Sequence, residues 1–229
     1  MNLEELKKGQ VLLIDKPLEW TSFDVVNKIR YSILKKHQIK KFKVGHAGTL
    51  DPLATGLLII CVGKATKTIE SYQGMDKEYT GTMTLGATTP SYDMETEVDR
   101  YFPLDHITED KIREAAEAFV GAYLQMPPIF SAIKKNGKKM YEHARKGESI
   151  EMKKRPVEIR EFEIIKIEMP KVFFRVVVSK GTYIRSLAYD FGKKLDTGAY
   201  LSELRRTKIG HFDVKDALTH TKWIEKNVL

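Results

Sequence analysis

Apolar residues fall into a few periodic blocks along the chain, and the blocks predict most of its regular structure. Val11–Ile14 reads as a short buried strand closed by Asp15-Lys16-Pro17. Thr21 stands three residues before Asp24, the spacing of a capping box, and Val25, Val26, Ile29, Ile33 and Leu34 follow at helical intervals. That helix should end before Val44. Gly45–Gly56 reads as a loop, with three glycines and a proline. The unbroken apolar run Leu57–Val62 reads as a fully buried strand, and Lys64–Tyr72 as a short helix. Tyr79, Gly81, Met83 and Leu85 alternate with threonines, the period of a strand over Glu78–Leu85. Thr108 should cap a helix whose apolar face is Ile112, Ala115, Ala116, Phe119 and Val120, stopping at Gly121. Pro127–Arg155 is loop-rich, with one short helix near Tyr141–Lys146. Val157–Ile167 and Val172–Val178 read as strands turning near Pro170. Gly181-Thr182 should open a helix with Ile184, Leu187, Ala188, Phe191 and Leu195 on one face. No repeat, low-complexity linker or composition break appears, so the expectation is a single α+β domain over residues 1–229 with a mixed sheet.

Composition narrows the classes. At 42% hydrophobic and 31% charged over 229 residues, the chain reads as globular. Its longest apolar run, Leu57–Val62, is far below the ~20 residues of a membrane helix, so no membrane-spanning helix is expected. The acidic start, Asn2-Leu3-Glu4-Glu5, does not read as a secretory signal. A single cysteine, Cys61, excludes a disulfide framework and a multi-cysteine zinc site and suits the cytoplasm. The net charge of +8 is concentrated: Lys35, Lys36, Lys40, Lys41 and Lys43 form one basic stretch, and nine cations against three acids fill Lys134–Arg155. Localised positive charge suits a polyanion, because each neutralised phosphate releases counterions. A solvated lysine face explains such runs equally well.

Familiar catalytic templates fail. Gly63-Lys64 follows a strand, but Leu58 and Ala65 occupy positions where a P-loop needs Gly and Ser/Thr. Gly147-Glu148-Ser149 lacks the second glycine of a nucleophile elbow. The six histidines show no metal spacing, so neither a metal nor an organic cofactor is expected. What remains is Gly45–Gly56, which sets one carboxylate, Asp51, in a polar loop between apolar strands. Pro52 keeps Asp51 out of helical conformation. A carboxylate fixed in this way suits a nucleophile or base, and it also suits a turn aspartate bonding its own backbone.

The whole string Gly-His-Ala-Gly-Thr-Leu-Asp-Pro-Leu-Ala-Thr-Gly resembles the catalytic motif of the TruB-type family of bacterial tRNA pseudouridine synthases. Further segments match in order. Asp15-Lys16-Pro17 with Thr21-Ser22 looks like the family's first motif, and Asp76-Lys77-Glu78-Tyr79 like the segment of its active-site tyrosine. Leu85-Gly86 with Thr88–Asp93 resembles the loop that follows. Gln125–Lys134 and Gly137–Gly147 are similar to its RNA-gripping thumb, an insertion at about 125–155. Ser179–Arg185 resembles its arginine motif, and Leu204-Arg205-Arg206-Thr207 its last catalytic motif. The resemblance spans about residues 11–210.

The resemblance implies an α+β fold with a mixed, largely antiparallel sheet flanked by helices, and isomerisation of uridine 55 in the tRNA T loop. That reaction breaks the N1–C1′ bond, turns the base, rejoins it through C5 and removes the C5 proton. It further implies Asp51 as the catalytic carboxylate, acting at ribose or base, and Arg185 as the arginine that pairs with it and favours its ionised form. Tyr79 would stack on the flipped base and could take the C5 proton, although its strand neighbours also suit plain core packing. Lys16, His46, Asp93, Tyr183 and Leu204 would line or support the pocket. Lys134, Lys135, Lys138 and Lys139 would grip the RNA backbone. The implied partner is the tRNA T stem-loop, taken by a monomer with no membrane partner and no obligate protein partner. Many family members continue into a C-terminal PUA domain, and none is expected here. Two other functions use the same features: a non-catalytic RNA-binding or tRNA-folding chaperone, and an N-glycosidase.

Overall fold

A computed structural model describes residues 2–130, 134–135, 138–139 and 152–228, with backbone alone at the four lysine positions. In chain order the elements are α1 (Leu3–Lys8), β1 (Gln10–Lys16), α2 (Ser22–His37), β2 (Val44–His46), β3 (Ala54–Val62), a 3-10 turn (Gly63–Thr68) running into α3 (Ile69–Gly74), and β4 (Lys77–Leu85). Then come β5 (Ala87–Thr88), β6 (Arg100–Tyr101), α4 (Glu109–Glu117), β7 (Gly121–Gln125), β8 (Lys134–Lys135), β9 (Lys138–Lys139), β10 (Arg155–Glu168), β11 (Lys171–Val178) and α5 (Ile184–Lys194). The chain finishes with β12 (Ala199–Ile209), β13 (Phe212–Asp213), β14 (Leu218–Thr219) and α6 (His220–Asn227). These residues fold as two compact units, Met1–Thr80 with Leu204–Leu229, and Gly81–Glu203.

In the first unit the strand order is β14-β1-β3-β12, with β2 also on β3 and β13 on β12. β1 runs antiparallel to β3 from Gln10↔Val62 to Lys16↔Gly56. β12 runs parallel to β3 at Leu204↔Ala54 and Arg206↔Gly56. β3 is apolar without alternation because both its faces are covered. Leu58, Ile60 and Val62 pack with Val25, Val26, Ile29 and Ile33 of α2 and with Trp223 and Ile224 of α6. Leu57, Ile59 and Cys61 pack on the other side with Ala47 and Ile209. α2 starts as expected: Thr21 Oγ1 accepts from the Asp24 amide at 3.0 Å, and Asp24 Oδ2 accepts from the Thr21 amide at 2.9 Å. It ends at His37, where Gln38 turns left-handed at φ 51°.

The second unit stacks β4, β11, β10 and β7 in that order. β10 and β11 form an antiparallel hairpin, Ile159↔Val178 to Glu168↔Lys171. Val172, Phe174, Val176 and Val178 of β11 point inward at period two. The rings of Phe119, Phe162, Phe174 and Phe191 meet in this core. Together the pairings give the mixed, largely antiparallel α+β architecture that the sequence predicts.

Some expectations shift. α4 is capped by Thr108 but ends at Glu117, so Gly121 does not stop it. Gly121 opens β7 instead at φ 108°, and Val120 is left 49% exposed. Lys64–Tyr72 is a 3-10 turn and a helix in series. β2, β5, β6, β7, β8, β9, β12, β13, β14, α1 and α6 were not anticipated, being short or, for β12, rich in charge. The helix expected near Tyr141–Lys146 lies outside the described residues.

Gly56 sits where β3 meets β12. Its φ is +103°, and a Cβ there would lie 2.3 Å from the Arg206 carbonyl oxygen and 2.8 Å from its nitrogen. Both the conformation and the space demand glycine. Gly56→Ala should therefore cost more than about 2 kcal/mol of stability. Urea unfolding checks this, and an unchanged midpoint would show that the two strands separate at little cost.

Candidate active site

The segment Gly45–Gly56 contributes β2 at one end and the start of β3 at the other, leaving residues 47–53 as the loop that carries Asp51. That loop is tied down from several directions. The Ala47 amide donates to Ile59 O at 2.9 Å, and the Ala54 amide to Asp51 O at 3.0 Å. Ser22, at the start of α2, bonds both backbone groups of Leu50: its Oγ accepts from the Leu50 amide at 2.8 Å and donates to Leu50 O at 3.2 Å. The Glu19 amide donates to Pro52 O at 2.8 Å. Asp51 itself is partly exposed, so its carboxylate stands on a braced loop within reach of solvent.

Lys16 ends β1 with no exposed surface. Its Nζ donates to Trp20 O at 2.5 Å, Pro17 O at 2.9 Å and Pro52 O at 3.4 Å. Burial pulls its pKa down to about 8, while the Asp51 carboxylate pulls the other way and favours the ammonium. His46 lies on β2, where burial and the nearby Arg206 guanidinium push its pKa down and favour the neutral ring. Leu204 of β12 pairs with Ala54. Tyr79 on β4 is only 8% exposed. Its neighbour Glu78 accepts from Thr207 Oγ1 through both its carbonyl and its carboxylate, at 3.2 and 2.7 Å. The first unit thus places Lys16, His46, Asp51 and Leu204 around one loop, with Tyr79 on the adjoining strand.

The second unit holds Asp93, Tyr183 and Arg185. Arg185, 4% exposed near the start of α5, donates to Ser91 O at 3.2 Å and Phe130 O at 2.8 Å. Its Nε lies 3.6 Å from Asp93 Oδ2. Asp93 is fixed in turn, its Oδ1 accepting from the Glu95 amide at 3.0 Å and its carbonyl from Thr89 Oγ1 at 2.7 Å. Gln125, at the end of β7, grips Tyr183 by both backbone groups: Oε1 accepts from the Tyr183 amide at 2.8 Å and Nε2 donates to Tyr183 O at 3.0 Å. Ser186 Oγ donates to Met126 O at 2.7 Å, and Tyr123 donates to Asp190.

The expected thumb is described only at its ends and at a small hairpin, where Lys134 pairs with Lys139 and Lys135 with Lys138. The side chains of those four lysines and the rest of residues 131–151 lie outside the described residues. A second basic feature did not figure among the expected site residues. In the first unit a groove of about 440 Å³ is walled by Lys7, Lys41, Lys43, Lys64 and Lys67 and floored by Ile39 and Phe42.

Sequence reasoning also missed Ser22, Gln125 and Arg206 as supports. Their signal was faint, since each lay inside a matched segment with no chemistry of its own to attract notice. Cys61 is buried, with its thiol pushed up to about 11, which makes it a poor nucleophile. Among the described residues no cluster of three or more His, Cys, Asp or Glu could hold a metal ion. No described helix is long and apolar enough to cross a membrane.

The chain resembles known proteins along nearly its whole length. The model of the TruB family pseudouridylate synthase N-terminal domain matches residues 35–184, and that of the tRNA pseudouridylate synthase B C-terminal domain matches residues 185–226. A tRNA pseudouridine synthase B from Flavobacterium johnsoniae is 61% identical over 226 residues, covering 98% of this chain and 99% of that one. Its namesake from Phocaeicola vulgatus is 52% identical, covering 96% and 95%. Among solved structures, a chain of a Cbf5-Nop10-Gar1 complex superposes with TM-score 0.71 at 31% identity over 99% of this chain. A chain of an H/ACA RNP bound to a substrate RNA containing 2′-deoxyuridine gives 0.69 at 29% identity over 98%. This chain spans 58% and 55% of the length of those two chains. Family models covering most of the sequence, and relatives alike from end to end, establish that the chain belongs to the TruB family of pseudouridylate synthases.

Proposed function

We propose that the protein isomerises uridine 55 to pseudouridine in the T stem-loop of tRNA, with Asp51 as the catalytic carboxylate. The observation that carries the reading is the braced loop: Ser22, Glu19 and Lys16 hold residues 50–52 while leaving Asp51 open to solvent. Fixing a reacting carboxylate in advance removes the entropy of placing it, and a protein that only binds RNA has no use for that. Tyr79 takes the flipped base. Arg185 has the cationic role that the family resemblance gives it. Lys16, His46, Asp93, Tyr183 and Leu204 shape the surroundings. A base must leave its stack to meet such a group. The work is done in the cytoplasm by a monomer with no obligate protein partner, and tRNA is its macromolecular ligand.

RNA is held electrostatically. The groove lined by Lys7, Lys43 and Lys67 together with Phe42 and Ile39 combines cations with apolar side chains, a combination that suits phosphates with a base or sugar between them. Lys134, Lys135, Lys138 and Lys139 add the backbone grip of the thumb.

The product formed by the parent separates this reading from a chaperone or an N-glycosidase, because neither of those would yield pseudouridine, and Asp51→Asn then tests the catalytic residue. Asparagine keeps the shape but cannot attack or take a proton. The variant should bind T-arm RNA as the parent does and form no pseudouridine in single-turnover assays. Conversion within about tenfold of the parent would move the chemistry to another residue. Appearance of abasic RNA with the parent protein would establish hydrolysis in place of isomerisation.

Neutralising Lys134, Lys135, Lys138 and Lys139 together should weaken binding alike for matched and mismatched T loops. The slope of log affinity against log salt should fall by roughly 0.7–0.9 for each phosphate that is no longer neutralised. Titrations at several salt concentrations read this directly, and an unchanged slope would remove these lysines from the interface.

Gln125→Ala cuts both bonds to Tyr183, the residue that leads into Arg185. Single-turnover rates should fall by about tenfold or more while RNA affinity stays close to the parent's, because misplacement slows the reaction without weakening the grip on RNA. Equal losses in affinity and rate would make Gln125 part of the RNA surface.

A further inference from the structure

Arg206 is among the largest fully buried side chains of the protein, 1% exposed, and it carries a full charge. Burying a guanidinium is unfavourable unless its donors are satisfied. Its Nε donates to Leu57 O at 2.7 Å and its Nη2 to Gly48 O at 3.1 Å. Those two carbonyls flank Asp51 in the chain: Gly48 lies in the loop before it and Leu57 in β3 after it. Gly48 is left-handed at φ +97°, and a Cβ there would lie 3.6 Å from Arg206 Nη1. The main chain of Arg206 packs in the same place, against Gly56.

The same cation is felt by the groups around it. Its charge lowers the basicity of both Lys16 and His46. Arg206 therefore sits amid the residues assigned to the site, yet these two bonds run to neutral backbone carbonyls.

We infer that Arg206 is a positioning residue for catalysis: its planar guanidinium ties the Asp51 loop, at Gly48, to β3, at Leu57, and so sets where the carboxylate stands. The inference rests on the reading of Asp51 as the catalytic group. Lysine is a poor substitute, because Arg206 reaches Leu57 O through Nε and Gly48 O through Nη2, two donors held apart in one plane, whereas lysine carries all its donors on a single nitrogen at the end of a flexible stem. Positioning of this kind appears in the rate at saturating RNA and leaves affinity alone.

The test uses the full chain and a T-stem-loop RNA, with the parent, Asp51→Asn, Arg206→Lys and Gly48→Ala compared by three readouts: RNA affinity, single-turnover rate at saturating RNA, and amide hydrogen exchange. Gly48→Ala approaches the same clamp from the loop side. Alanine resists the left-handed conformation, so the Gly48 carbonyl must swing away while the guanidinium is untouched. It keeps the inference testable should Arg206→Lys fail to fold. Both clamp variants should lose about 100-fold in rate, with affinity within about threefold of the parent. Exchange should speed up at the Leu50 and Ala54 amides and stay unchanged in α2 and β1. A near-parental rate in a folded clamp variant would overturn the inference, and so would faster exchange spread evenly over the first unit. Conversion by Asp51→Asn would instead sink the assignment of Asp51, whatever the clamp variants do.

Discussion

Where β3 runs beside β12, a side chain at Gly56 would collide with the main chain of Arg206, and the strands pair in parallel only because none is there. Much of the first unit depends on that close approach. It delivers the Arg206 guanidinium beneath the preceding loop, where its donors reach Gly48 and Leu57. It also aligns Leu204 with Ala54, just after Asp51 in the chain. The loop then receives its remaining supports from α2 through Ser22 and from the end of β1 through Lys16. A segment that reads as a glycine-rich loop stiffened at its Asp-Pro is held at nearly every turn.

Positive charge is used in two ways, and burial separates them. Lys16 and Arg206 are sealed from solvent and direct their donors to backbone carbonyls. Cations placed in this way shape the loop around Asp51, and the attraction between Lys16 and Asp51 partly offsets the cost of burying the ammonium. The lysines that wall the groove over Phe42 belong to the other class. Charges in that setting attract a polyanion from solution and are screened by salt, so they govern affinity more than rate. Burial and the Arg206 charge both push the His46 pKa down and favour its neutral ring.

In the second unit the equivalent task falls to backbone carbonyls and one amide side chain. Arg185 is steered by the carbonyls of Ser91 and Phe130 and by Asp93, while Gln125 pins the residue two positions before it. The strand β7 and the chain just after it therefore run along α5, tied at Asp190, Ser186 and Tyr183. An arginine held by so many fixed acceptors has little freedom to wander, which suits a cation whose direction matters.

The sequence by itself determined the long elements and the chemistry. Apolar periodicity marked α2, β3, β4, β10, β11 and α5, because each buries a face or a whole strand and so leaves a repeating pattern. The Thr21–Asp24 spacing fixed the start of α2, since a cap is a local bond between near neighbours. The ordered motifs around Asp51, Tyr79 and Arg185 pointed to the family before any coordinate did. Tertiary structure alone decided the rest. β7 is short and β12 carries much charge, so neither announces itself, and both become strands through partners distant in sequence. Gly121 looked like a helix stop and opens a strand, because the next residues find β10 to pair with. Ser22, Gln125 and Arg206 have roles set by carbonyls far away along the chain, such as Leu50, Tyr183 and Gly48. No local pattern encodes a bond of that kind, because the acceptor is a backbone group present at every residue, and only the fold selects which one is met.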